Sequence, residues 1–295
     1  MTDVVVDWIA HHAKTTPRKT ATIDLASGRR QSYANMHDRV GRIAAFLREA
    51  GVGKGDRVGL IALNSTDILD IIFATWRVGA VHLALNFRLT SAELAFIVGD
   101  AAPRLMFVDQ AFAALKDALA PQNPDLRWVE LDGVGGQSEF EAIIAGSRPV
   151  QTMVELQPHD RAMLMYSSGT TGRPKGVVIT HSMVMAAVIN EAINFEVDRN
   201  TVSYAVMPLF HIGAMMGFSV PAMFFGATAV VERTFEPGAM IEAITSTDYG
   251  VTHFLALPAI YNAMRMHPAC EEADFSRIVI AAGGAEPMPE PMLRW

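Results

Sequence analysis

Two rhythms of apolar residues alternate along this chain. One repeats at three and four positions. Val40, Ile43, Ala44 and Leu47 share one face of 36–50, which predicts a helix, and Gly51 stands where a C-terminal glycine ends one. The other rhythm is a short apolar run bounded by polar or turn residues. Segments 57–63, 81–85 and 104–108 read as buried strands of this kind. Between them, Asn64, Ser65, Thr66 and Asp67 offer several N-caps for a helix running through Trp76. Thr90 and Glu93 have the capping-box spacing ahead of Leu94, Ile97 and Val98.

The pattern changes at 121–160, where Pro, Gly, Gln and Asp cluster; this segment reads as a peripheral excursion with a strand near Trp128 and a helix near Phe140. Alternation then resumes. Strands are expected at 162–166, 202–207, 227–231, 252–257 and 277–281, with helices between them that include 240–246 and 259–266. Strand–helix alternation implies an α/β fold of two lobes, each a largely parallel sheet covered by helices. The division is expected near residue 150: a first lobe over 1–150, with the excursion from about 121, and a second lobe over 151–295. No repeat or low-complexity tract interrupts either lobe.

Composition narrows the field. Hydrophobic residues make up 51% and charged residues 19%, so a large core is available and disorder is not expected. The net charge of −7, with no basic run, argues against a nucleic-acid partner. The single cysteine, Cys270, excludes an internal disulfide and fits a reducing, cytoplasmic setting; nothing near it in sequence would activate its thiol. From 200 to 231 there is no Asp, Glu, Lys or Arg, but Pro208, Pro221, Gly213, Gly217, Gly226 and His211 interrupt the run. A buried strand–loop–helix–strand passage is expected there rather than a transmembrane span. The 17 methionines read mostly as core filler.

The densest chemical signal is 166–177, YSSGTTGRPKGV. Small residues let backbone N–H groups approach an anion, hydroxyls add donors, and Lys175 adds a point charge. This suits a polyphosphate, although the register is not that of a Walker A loop, since Pro174 stands five residues after Gly169. A solvated surface loop is the alternative. A nicotinamide-binding glycine fingerprint is weak, because Asp56 and Ser138 stand where its third glycine would be. No histidine spacing supports a metal site.

As a block, 166–177 resembles the phosphate-binding signature of the adenylate-forming (AMP-binding) enzymes, acyl-CoA synthetases in particular. GVGKGDRV at 51–58, Asn64, Gly79-Ala80-Val81 and Leu85-Asn86 are similar to that family's N-terminal lobe. PLFH at 208–211 resembles its acyl-site motif, and AGGA at 282–285 its glycine-rich strand end beside adenine. These matches keep the family's order from about Trp8 to Ala285.

The resemblance implies the large N-terminal domain of an acid–thiol ligase that activates a fatty or aryl acid as acyl-AMP and transfers it to CoA. ATP with Mg2+ and CoA are the implied co-substrates, with no prosthetic group or resident metal. It assigns Ser167, Ser168, Gly169, Thr170, Thr171, Gly172 and Lys175 to the ATP phosphates, Gly283, Gly284 and Ala285 to the adenine side, and His211 to the acid's carboxylate. For His211 a core histidine bonded to backbone is the alternative; for Gly283 and Gly284 it is a plain strand exit. Gly213, Ala214 and Gly217 would leave room for an acyl or aryl group, or equally let helices pack closely.

Family members continue past the Gly-Gly-Ala segment with a Tyr-Gly-x-Thr-Glu motif, a ribose Asp, and a small C-terminal domain carrying a catalytic Lys, none of which occurs here. The resemblance therefore implies a truncated chain with no complete catalytic set, inactive alone, open to self-association or to a complementary C-terminal chain. The competing expectation is a dead or split-gene fragment that only binds nucleotide or a partner.

Overall fold

A computed structural model describes residues 5–167 and 173–294. Twelve strands form two six-stranded sheets among the described residues. The first sheet has the order β6-β5-β3-β4-β7-β8, from Arg127–Leu131 (β6), Leu105–Asp109 (β5), Arg57–Ile61 (β3), Val81–Ala84 (β4), Arg161–Ser167 (β7) and Lys175–Thr180 (β8). The second has the order β12-β11-β9-β10-β1-β2, from Ile280–Gly283 (β12), His253–Ala256 (β11), Val202–Ala205 (β9), Thr228–Val231 (β10), Thr20–Asp24 (β1) and Arg30–Ser32 (β2). Pairing is parallel throughout except at one edge of each sheet, where β7–β8 and β1–β2 are antiparallel hairpins. The sheets are thus mixed, flanked by helices, and the expected α/β class holds.

Sheet membership cuts across the division expected near residue 150. The hairpin β7–β8 joins the sheet of β3–β6, through parallel pairing of His82, Leu83 and Ala84 with Met163, Leu164 and Met165. The hairpin β1–β2 joins the other sheet, where Thr22 pairs with Ala229. Neighbours along a chain share a sheet only by tendency, and nothing local to β1 or β7 marks a distant partner. The segment 121–160 contains the strand expected near Trp128 and the helix expected near Phe140. It supplies edge strand β6 and the helix Glu139–Gly146, whose Phe140 is buried edge-on against Phe107.

Two local results show tertiary structure completing what the sequence begins. Thr90 and Glu93 form the expected capping box on the helix Ser91–Ala101. The helix Thr66–Arg77 has Ser65 at its N-cap, but the Ser65 side chain makes no capping bond. Asp24 of β1 does so instead, its Oδ2 accepting from the Thr66 amide at 2.8 Å. A carboxylate there satisfies an orphan N–H and meets the positive end of the helix dipole. Every residue of this helix is buried, so it bridges the two sheets as a core element.

Its far end carries Arg77, buried with its Nε donating to Asp7 at 2.8 Å. The near end is held by a charge cluster: Arg39 pairs with Asp67 at 2.6 Å, Asp70 at 2.9 Å and Glu141 at 2.6 Å, and Arg29 also reaches Asp67. Buried charges survive only when paired in this way.

The uncharged run 200–231 folds as expected into strand, helix and strand: β9, a helical stretch over 212–225, and β10. The middle of that stretch, Met215–Ser219, is a π-helical turn. Met215 and Met223 are buried in the core beneath it, filling the role read from the methionine content. No described helix is long and apolar enough to cross a membrane.

Candidate acid and nucleotide site

The hairpin β7–β8 carries the described ends of the sequence's densest motif. Its ladder closes with Ser167 opposite Lys175, so the two described ends of the phosphate-loop segment sit side by side. Ser168, Gly169, Thr170, Thr171 and Gly172 lie outside the described residues. Tyr166 anchors the hairpin, its hydroxyl donating to Asp100; burial and that carboxylate both push the phenol's pKa upward.

His211 ends a turn that follows β9. Its amide donates to the Pro208 carbonyl at 3.0 Å, and its Nδ1 accepts from the Gly213 amide at 3.2 Å. With Nδ1 as acceptor, a neutral imidazole carries its proton on Nε2. The side chain is exposed, so it is not the core histidine that was the alternative.

Ser167 and His211 line one cavity of about 520 Å³, together with Tyr166 and Pro174 from the hairpin and Asn86 beyond β4. Ser167 and His211, 44 residues apart in sequence, one ending a strand of the first sheet and the other in a turn after a strand of the second, therefore face the same space. Ile212 lines this cavity and also a second, of about 250 Å³. The second is walled by Phe195, Met216, Phe218 and Leu255, with Gly213 and Gly217 on the helical side. A β-carbon on Gly217 would come within 2.9 Å of the Leu255 side chain. The glycine thus allows both the close approach and the open space, the two roles its size suggested. Ala214 is buried instead against β9, beside Tyr204 and Val206.

The third motif reaches the second cavity by one residue. Ala282 lines it, and the Ala282 carbonyl accepts from the Tyr261 hydroxyl at 2.8 Å. Gly283 closes β12, which starts at Ile280 rather than at 277 as the pattern suggested. The shift follows from a turn: Ile278 N–H bonds to Phe275 O, and Val279 is the first residue to reach across, to Thr252 O. A β-carbon on Gly283 would sit 2.6 Å from the Met288 methyl, while Gly284 has room. The left-handed φ of this segment falls on Ala285, at 68°.

Sequence reading passed over Glu191. It is the only Asp, Glu, Lys or Arg in the helix His181–Phe195, and it lines the apolar second cavity. Burial raises its pKa to about 7. The available signal was that isolation: one acid in an otherwise uncharged helix.

No three His, Cys, Asp or Glu side chains come together to hold a metal ion among the described residues. The described lining of the first cavity offers the hydroxyls of Tyr166 and Ser167 and the imidazole of His211.

Two mixed sheets flanked by helices, with the end of one hairpin and a histidine-bearing turn facing one cavity, define an α/β domain with the fold of adenylate-forming ligases. The chain belongs to the AMP-binding enzyme family, which matches residues 9–295. It is 30% identical over 290 residues to an indoleacetate–CoA ligase of Aromatoleum aromaticum, an alignment covering 98% of this chain and 56% of that protein. It is 31% identical over 282 residues to a feruloyl-CoA synthase of Amycolatopsis, covering 96% and 54%. Among solved structures, the inhibitor-bound N-terminal domain of FACL13 from Mycobacterium tuberculosis superposes with a TM-score of 0.89 at 28% identity, over 98% of this chain and 71% of that one. The chain spans about half the length of the curated relatives it matches.

Proposed function

We propose that these residues form the ATP- and acid-binding part of an AMP-forming acid–thiol ligase acting on a carboxylic acid, with the complete reaction belonging to the whole protein. The observation that carries this reading is the cavity shared by Ser167 at the end of β7 and His211 in the turn after β9 of the other sheet. One group suits phosphate and the other a carboxylate, and the reaction joins those two.

The chemistry runs in two displacements. A carboxylate oxygen attacks the α-phosphorus of ATP, the bond to the β-phosphate oxygen breaks, and pyrophosphate leaves. The CoA sulfur then attacks the acyl carbonyl, AMP departs with the C–O bonding pair, and the thiol proton passes to solvent. Such steps depend on positioning and charge neutralisation. In this reading Ser167, Ser168, Gly169, Thr170, Thr171, Gly172 and Lys175 take the leaving phosphates. The Nε2–H of His211 donates to the carboxylate, holding one oxygen while the other attacks. Gly283, Gly284 and Ala285 pass the adenine, and a β-carbon on Gly283 would have to displace the Met288 methyl. ATP with magnesium and CoA are the co-substrates.

The test is pyrophosphate exchange by the whole protein. Thr170→Ala with Thr171→Ala is expected to slow exchange, each lost bond to a charged oxygen costing about 1.5–3 kcal/mol. His211→Ala is expected to raise KM for the acid far more than KM for ATP. An unchanged rate in the threonine pair, or a loss confined to ATP in the histidine variant, would overturn these assignments.

A further inference from the structure

We propose that Glu191 selects the acid: the second cavity takes a one- or two-ring aryl tail that carries a hydrogen-bond donor, such as a phenolic hydroxyl, at the end remote from its carboxylate. This rests on the reading of His211 as the carboxylate's partner.

Three observations carry it. First, Ile212 lines both cavities, and Gly213, whose amide donates to His211 Nδ1, lines the second. In this proposal an acid whose carboxylate meets His211 places its tail past Ile212 and Gly213, in the second cavity. Second, that cavity is shaped and walled for a ring. Phe195 and Phe218 meet edge-on at 5.6 Å between centroids, Leu255 and Met216 complete the walls, and Gly213 and Gly217 leave the helical side open. Its volume, about 250 Å³, has room for a one- or two-ring tail.

Third, Glu191 is the one titratable side chain on this lining, and no described hydrogen-bond donor meets its carboxylate. Its pKa is raised by burial alone, with no cation compensating. A carboxyl group half-buried against apolar walls is costly unless something bonds to it. A ligand hydroxyl would supply that bond. An acid without one would leave the carboxyl facing a ring and would lose affinity, which is how buried polar groups discriminate between near-isosteres.

The experiment is calorimetric titration of the chain, with ATP present, using 4-hydroxycinnamate and 4-methylcinnamate. The two acids match in shape and differ in the donor. The native chain is expected to bind the hydroxy acid at least tenfold more tightly. Glu191→Leu is expected to abolish or reverse that preference. Glu191→Gln, which keeps an acceptor and tests for a folding artefact, is expected to retain part of it. Equal preference in the native and Leu chains, with both acids bound, overturns the role of Glu191 and leaves the acid site standing. Binding of neither acid by the native chain overturns the acid-site reading and this inference with it.

Discussion

The Asn64 side chain clasps the backbone on both sides of Pro208. Its Oδ1 accepts from the Leu209 amide at 2.8 Å, and its Nδ2 donates to the Met207 carbonyl at 3.0 Å. Asn64 follows β3 of one sheet, and Met207 and Leu209 follow β9 of the other. One amide group therefore ties the two sheets together at the turn that presents His211.

That geometry makes Asn64 a positioning residue. Asn64 is only 3% exposed, so its loss would strand a buried amide and a buried carbonyl. Asn64→Ala is expected to cost about 1–3 kcal/mol of stability, measured by urea unfolding. It is also expected to raise KM for the acid, because the turn carrying His211 loses its anchor. A stable variant with an unaltered acid KM would separate Asn64 from the site.

Asp24 caps a helix from another sheet, and that cap is testable by itself. Asp24→Ala removes the acceptor of the Thr66 amide and is expected to cost about 0.5–2 kcal/mol. Asp24→Asn, which keeps an acceptor oxygen, is expected to recover much of it. Hydrogen exchange locates the effect: the Thr66 amide is expected to lose protection in the Ala variant before the strands do. Uniform loss across both sheets would instead mark Asp24 as a general core residue.

His82 predicts how the fold responds to acid. It is fully buried on β4 beside Leu60, Ile68 and Leu209, and burial lowers its pKa from 6.5 to about 3. The folded chain keeps His82 neutral, while the unfolded chain takes up a proton near pH 6.5. Its contribution to stability is therefore intact above pH 6.5 and is lost as pH falls toward 3, with a limiting slope of about 1.4 kcal/mol per pH unit. His181, lowered to about 4 by burial, adds a loss in the same direction that is complete at a higher pH and smaller in total. Urea unfolding of the native chain and of His82→Leu at pH 7, 6 and 5 checks this. The variant is expected to show the smaller slope; equal slopes would place the titration elsewhere.

What the sequence determined by itself was local. Apolar runs marked the strands, the 3.6-residue period marked helices such as Tyr33–Glu49, and the spacing of Thr90 and Glu93 fixed a cap. These are short-range properties, written in neighbouring side chains. The family resemblance was equally local, since 166–177, 208–211 and 282–285 are contiguous motifs, and the family match over 9–295 agrees with it.

Tertiary structure decided which strands share a sheet, because the hydrogen-bonding partner of a strand leaves no mark on its own residues. It sent β1 to β10 and β7 to β4. It replaced Ser65 by Asp24 as the effective cap, since a carboxylate brought in by another sheet can outcompete a neighbouring hydroxyl. It also gave Glu191 its surroundings. A lone acid in a helix is ordinarily a solvated one; only the packing of Phe195, Phe218 and Leu255 around the same cavity sets this one against apolar walls and raises its pKa.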